Sequence, residues 1–458
     1  MYYASSCGLY DVVTFLVIER SQNVNARASY DQSTPLHVAS NVKVAEFLLE
    51  HGADTMTQDV HGQNPLHWAS RMGNTEITRL LLQHGADASA VDERKQTPLF
   101  KARNVEVARR LLENGADATI RDKEKRTPSH EVSSSFQEGA EVARLLLDHG
   151  ADVKAVDEYN RTPLHGAQSV EVVRVLLQYG ADATTVDEEK RTPLHEFSSM
   201  RRESTEVVRL LLEHGADPTA QDQIKRTQLH EASKVEVVRL LLEHGADPSA
   251  QDVDKRAPLR VESHQELSVG VAQLLLEHGA DPSAPDNFNR TPWHGKLSAG
   301  VARLLLEHGA DPSARDNFNS TPLHGKLSIE VARLLLEHGA DPVTQDREKK
   351  TPLYVTSSPE GDVDVVRLLL EHGADLTTQD KYQCTPLHCV NSVLIARLLL
   401  EHGASPTARN EHGQTPLHRA SSVDFAQLLL ERGADVMLQD NYNQTPLHLA
   451  SFFEVGGA

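Results

Sequence analysis

Aromatic residues make up only 5% of the 458-residue chain, so no large aromatic core is expected. Cysteine is scarcer still: Cys7, Cys384 and Cys389. An odd, sparse set offers no disulfide framework and points to a reducing compartment, read here as the cytoplasm with the nucleus left open. No apolar run approaches the ~18 residues of a membrane span. The longest near the start, Val12–Ile18, follows Asp11 and has no basic segment before it, unlike a secretion signal. Basic charge is also short, with 46 Lys and Arg against 66 Asp and Glu, a net charge of −20. A surface of that sign repels nucleic acid and anionic membranes. It favours a protein partner, one carrying a basic segment for preference. G-x-x-x-x-G-K-[ST], H-E-x-x-H and G-x-S-x-G are all missing, so the usual phosphate loop, zinc-protease helix and nucleophile elbow have no sequence here.

What the chain has instead is a period. T-P-L-H or a near match begins at residues 34, 64, 97, 127, 162, 192, 227, 257, 291, 321, 351, 385, 415 and 445. The spacing is 30 in most units and 33 to 35 in the rest. In each unit Thr is suited to an N-cap and Pro to the first helical position. A short apolar helix follows, then a second one such as "EVARLLLEHGA" (Glu330–Ala340). Val331, Leu334, Leu335 and Leu336 form its apolar side, and Glu330, Arg333 and Glu337 share the wet side. Gly339 stands where a left-handed C-cap is needed, with Pro342 just beyond. A polar, hairpin-like stretch (Ala314–Ser320) leads to the next Thr-Pro. One such helix pair cannot bury its apolar faces alone, whereas stacked pairs can. The pattern predicts an all-α repeat solenoid of helix-turn-helix units: one array over 1–458, with incomplete repeats at 1–33 and 445–458 and thirteen full repeats over 34–444.

"TPLH" (Thr162–His165, Thr192–His195, Thr321–His324, Thr385–His388, Thr415–His418, Thr445–His448) and "LLLEHGAD" (Leu304–Asp311) resemble ankyrin repeats, and the likeness runs through the whole chain. The resemblance implies two antiparallel helices and a protruding β-hairpin finger per unit, stacked into a curved solenoid with a concave face of fingers and inner helices. It also implies protein binding, no enzymatic activity and no cofactor.

Several features depart from the family pattern of 33 residues with Gly two positions before the Thr. In the 30-residue units the deletion falls between the helices, so the inner helix loses most of a turn or the connection tightens. The longer units carry extra residues, such as Ser133–Ala140 and Ser198–Thr205, expected as loops along one rim. Only Gly62 and Gly413 stand at the glycine position; Asn160, Asn289, Asn319 and Asn443 are fair substitutes. Lys95, Lys125, Lys190, Lys225, Lys255 and Lys349 are not, and their fingers are expected to be looser or differently turned. Lys296, Lys326 and Glu262 fall where other units carry a small residue such as Ala39 or Ala167, with Leu327 expected to rotate inward instead. Neither end resembles a polar cap, which suggests a fragment or a chain that associates end to end.

Of the 24 histidines, all but His61, His264 and His412 fall into two structural sets. Eleven stand at the fourth corner position, where the family imidazole bonds across the turn and between units. Ten precede the helix-ending Gly, where a partly protonated ring suits the helix C-terminus. Phe100, Arg260 and Tyr354 replace the corner histidine in three units, and none is an ordinary zinc ligand. Cys384 and Cys389, in "CTPLHC", lack zinc spacing and read as incidental. No catalytic, metal or cofactor site is expected.

Function is therefore sought at positions that the repeat leaves free. The finger tip, three residues before each corner Thr, is Tyr159, Phe288, Phe318, Tyr382 or Tyr442 in five units and Ile224 in another. A wet tip has no folding reason to be aromatic, and aromatic side chains are frequent binding anchors. Packing of each ring on its neighbouring finger is the competing explanation. After the corner His, Trp68 stands out, with Glu131, Glu196 and Glu231 forming an acidic stretch. The expected function is a protein-interaction scaffold that binds on its concave face and finger tips. The alternative is the recognition region of a larger multidomain receptor or enzyme, such as an NTPase-linked sensor or a ubiquitin-ligase adaptor.

Overall fold

Nine-residue amphipathic segments recur along the chain, and most become a helix that begins on a polar cap. In Ile329–Glu337 the Ser328 hydroxyl accepts the Val331 amide at 3.4 Å. Asn41, Asn74, Asn104, Ser169, Ser298 and Ser422 cap their helices in the same role. The helix stops at His338, and Gly339 follows at φ +90°. A side chain there would be strained, which explains the glycine. Val331, Ala332, Leu335 and Leu336 are buried. Each fully buried Val or Leu is worth about 1.5–3 kcal/mol, so the stack and not the isolated helix supplies the stability.

The computed structural model describes residues 1–132, 138–198, 204–260, 267–358, 361–390 and 392–450. These are helical, with no strand among them. Two compact halves are distinguished, Met1–Gln223 and Ile224–Ala458. Within each half the long helices pack on their sequence neighbours: Val42–Glu50 on Thr75–Gln83 and that on Val105–Glu113 in the first, Ala299–Glu307 on Ile329–Glu337 and that on Val363–Glu371 in the second. The first pair, Tyr2–Ser6 and Tyr10–Ile18, leaves Tyr3, Phe15 and Ile18 exposed.

The shortened units resolve as a lost helical turn. Their inner elements are single turns such as Pro98–Lys101, Pro292–His294 and Pro322–His324, whereas the 33-residue unit has the full helix Pro65–Met72. The chain leaves the turn at Gly295 (φ −91°, ψ 179°) and Gly325 (φ −79°, ψ 169°), both extended. Lys296 and Lys326 therefore lie beyond the turn and are exposed, and Leu327 is half-buried. The apparent charge in a helix core is a charge on a surface connection. Glu262 and most of the extra residues in 133–140 and 198–205 lie outside the described residues.

The fingers differ from expectation in two ways. No β-hairpin is formed among the described residues. From the second finger on, each is a turn built on an aspartate, or on Asn410 in one unit. Asp316 Oδ1 accepts the amides of Phe318 and Ser320 at 2.8 and 2.9 Å, and the Asp316 amide donates to the Ser320 carbonyl at 3.0 Å. The lysine fingers are also no exception. Lys95, Lys125, Lys190, Lys225, Lys255 and Lys349 sit at φ +58° to +61°, beside Asn160, Asn289, Asn319 and Asn443 at +57° to +60°. The turn over-determines this residue, so lysine accepts a left-handed backbone at a cost of about 1–2 kcal/mol.

Candidate functional site

Most corners are organised by a histidine. The Thr321 amide donates to His324 Nδ1 at 3.1 Å, and His324 Nε2 lies 3.1 Å from the Lys350 carbonyl at the base of the next finger. An amide can only donate and a carbonyl can only accept, so the ring is neutral with its proton on Nε2. The same span joins His37 to Gln63, His165 to Arg191, His294 to Ser320 and His388 to Gln414. Burial holds these imidazoles below the ordinary histidine value. Two replacements keep the reach by another route. The Tyr354 hydroxyl donates to Asp380 at 2.6 Å, and Arg260 Nη2 lies 3.4 Å from Asp286. Phe100 is simply buried. In the second set, His338 Nδ1 donates to the Leu334 carbonyl at 2.8 Å and so closes the end of its helix. His51, His214 and His402 do the same.

Neighbouring fingers are tied by one backbone bond per step. The Asn317 amide donates to the Phe288 carbonyl and the Arg347 amide to the Phe318 carbonyl, each at 2.8 Å. Tip carbonyls are thus consumed in the stack while tip side chains point away from it. Tyr159, Ile224, Phe288, Phe318, Tyr382 and Tyr442 are 42–68% exposed. Cations flank several rings: Arg161 lies 4.9 Å from the centre of Tyr159, Arg290 4.9 Å from Phe288, and Arg347, from the next finger, 5.9 Å from Phe318. Lys381 lies 4.8 Å from Tyr382, and the rings of His412 and Tyr442 are 6.5 Å apart.

Trp68 is placed differently. Its indole N–H donates to Asp59 at 2.9 Å, Arg71 covers its ring at 4.6 Å, and it is half-buried. It braces the finger of its own unit. The glutamates of the acidic stretch are also engaged: Glu131 with Arg126 at 3.4 Å, Glu196 with Arg191 at 3.6 Å and Glu231 with Arg226 at 3.1 Å. Cys389 Sγ–H donates to the Tyr354 hydroxyl at 2.9 Å, and Cys384 is buried. Burial raises both thiols, which disfavours the reactive thiolate. Among the described residues no group of three or more His, Cys, Asp or Glu could hold a metal ion, and no helix is long and apolar enough to cross a membrane.

Sequence reasoning missed the finger aspartate. Its signal was plain: an Asp, or Asn410 in one unit, stands five residues before nearly every corner Thr.

Stacked helix pairs with histidine-tied corners and protruding turns define a helical repeat protein. The family model for ankyrin repeats in three copies matches residues 56–122, 99–187, 167–252, 263–346, 325–410, 361–440 and 391–455, and the single-repeat model matches 31–60. The chain belongs to the ankyrin-repeat family. A curated relative, mouse ankyrin repeat domain-containing protein 37, is 36% identical over 72 residues, which span 15% of this chain and 45% of that protein. Among solved structures, the ankyrin repeat domain of Bcl-3, a member of the IkappaB protein family, is 30% identical with a TM-score of 0.38, over 46% of this chain and 99% of that one. The human ASB11 ankyrin repeat domain is 26% identical with a TM-score of 0.42, over 48% of this chain and 100% of that one. Ankyrin repeats are protein–protein interaction modules, typically in scaffolds without enzymatic activity.

Proposed function

We propose that this chain is a protein-binding scaffold whose partner contacts the finger tips and the inner turns beside them. The observation that carries this reading is the set of exposed aromatic tips. Their backbones are held by the finger aspartate and the next finger, so the side chains are left with no comparable packing duty. Flanking cations orient the rings while leaving them about half exposed, for example Phe288 at 45% and Phe318 at 54%. A ring held before binding loses less freedom on contact. Tyr159 contributes in the first half, and Ile224, Phe288, Phe318, Tyr382 and Tyr442 in the second. Trp68 belongs to the supporting structure in this reading. The paired state of Glu131, Glu196 and Glu231 weakens the case for a basic partner segment.

Phe288→Ser combined with Phe318→Ser tests the reading. Partners recovered by proximity labelling in cells should be lost or weakened about tenfold or more, with helicity and melting nearly unchanged. Unchanged partner recovery with a folded double variant would count against the tips, and loss of folding would make the rings structural.

A further inference from the structure

The two successive units with the sequence "HGKLS" enclose a cavity in the second half. It has a volume of 610 Å³ and opens where the inner turns Pro292–His294 and Pro322–His324 end early. Trp293, Pro322 and Leu327 supply apolar wall, and Lys296 and Lys326 supply positive charge beside Arg290, which is ion-paired with Asp286 at 2.9 Å. A second cavity of 530 Å³ shares Gly325, Lys326 and Leu327 with the first, so the groove continues toward Val355 and Asp362.

Its charge is opposite to that of the chain. Arg290, Lys296 and Lys326 line the first cavity against Asp316, and the continuation adds Asp362, within a molecule of net charge −20. Asp286, Asp316 and Asp346 each accept two amides of their own turn. Asp316 touches the cavity, yet it is only 9% exposed. Lys296 and Lys326 are exposed. Arg290 links the groove to the finger row, because its guanidinium lies 4.9 Å from the centre of the Phe288 ring while its side chain lines the cavity.

We infer that this groove and the adjacent tips Phe288 and Phe318 bind an acidic peptide segment of a partner protein. Its carboxylates would lie against Lys296 and Lys326, and an apolar side chain against the two rings. The inference rests on the proposed finger-tip surface and reverses the partner charge suggested by overall composition. Field complementarity acts locally, so a positive groove attracts an acidic segment while the acidic surface around it repels other anionic groups.

The test uses the full chain and three degenerate twelve-residue peptide pools on beads: Asp/Glu with Leu/Phe, Lys/Arg with Leu/Phe, and Ser/Gln with Leu/Phe. The acidic pool should bind best, and its binding should weaken as salt rises from about 50 to about 300 mM. Lys296→Glu with Lys326→Glu should lower that binding about tenfold, equivalent to about 1.4 kcal/mol, with the circular dichroism melt unchanged. A second variant, Lys296→Gln with Lys326→Gln, should give a smaller loss in the same direction and guards against a folding defect. Stronger binding of the basic pool, or indifference of the folded lysine variants to the acidic pool, overturns the inference. Phe288→Ser with Phe318→Ser separates the two readings. If acidic binding survives it but is lost in the lysine variants, the groove stands without the tips. If it abolishes binding of all pools equally while the lysine variants bind normally, the tips stand and the acidic partner does not.

Discussion

His324 illustrates how one side chain can hold two units. Its ring joins the Thr321 amide to a carbonyl at the next finger, and both partners are backbone groups that lose water on burial. His324→Ala leaves a donor and an acceptor unsatisfied and should cost about 1–3 kcal/mol, read as a lower urea midpoint. The left-handed lysines predict the opposite sign. Lys349 sits at φ +60°, so Lys349→Gly removes backbone strain, offset in part by the flexibility of glycine in the unfolded chain. A net gain of about 0.5–1 kcal/mol is expected, seen as a higher melting temperature. A decrease would show that the lysine stem contributes packing that outweighs the strain. The corner role of His324 could be read in the sequence because a recurring motif carries it. The uniform turn at lysine could not, because single-residue preference is weaker than the aspartate, the neighbouring finger and the following Thr-Pro acting together.

At the scale of the element, the missing residues between helices were visible as a spacing of 30, but their consequence was not. A deletion can shorten a helix or its connection, and only packing decides between them. The chain kept the long outer helix, whose Val, Ala and Leu positions are buried, and gave up the inner one. The inner turns should therefore open more readily than the full helix Pro65–Met72. Native-state hydrogen exchange checks this: the amide of Gly325, bonded to the Pro322 carbonyl at 3.0 Å, should exchange faster than that of Met72. Equal protection would mean that the shortened turns gain compensating support from their neighbours. The same shortening explains why Lys326 puzzled a reading based on helix register: beyond Gly325 there is no helix to define a core face.

For the whole molecule, the neutral corner histidines make stability depend on pH. His37, His67, His130, His165, His230, His294, His324 and His388 all have values lowered by burial. The unfolded chain then binds protons more readily than the folded one, so their contribution is complete above the ordinary histidine value of about 6.5. It declines as pH falls below that value toward the lowered folded ones. Urea midpoints measured from neutral pH downward should hold steady and then fall, with several protons taken up on unfolding. Stability that rose as pH dropped through this window would contradict the assigned tautomers. Overall acidity is legible in composition, whereas the charge that faces a partner is local and varies from finger to finger. The finger row offers a last consequence. Because main-chain bonds tie each of these tips into the row whatever its side chain, one letter can be exchanged there without rewriting the grammar around it. Thirteen such positions, from His61 to Tyr442, form a vocabulary in which recognition can drift while the fold stays the same.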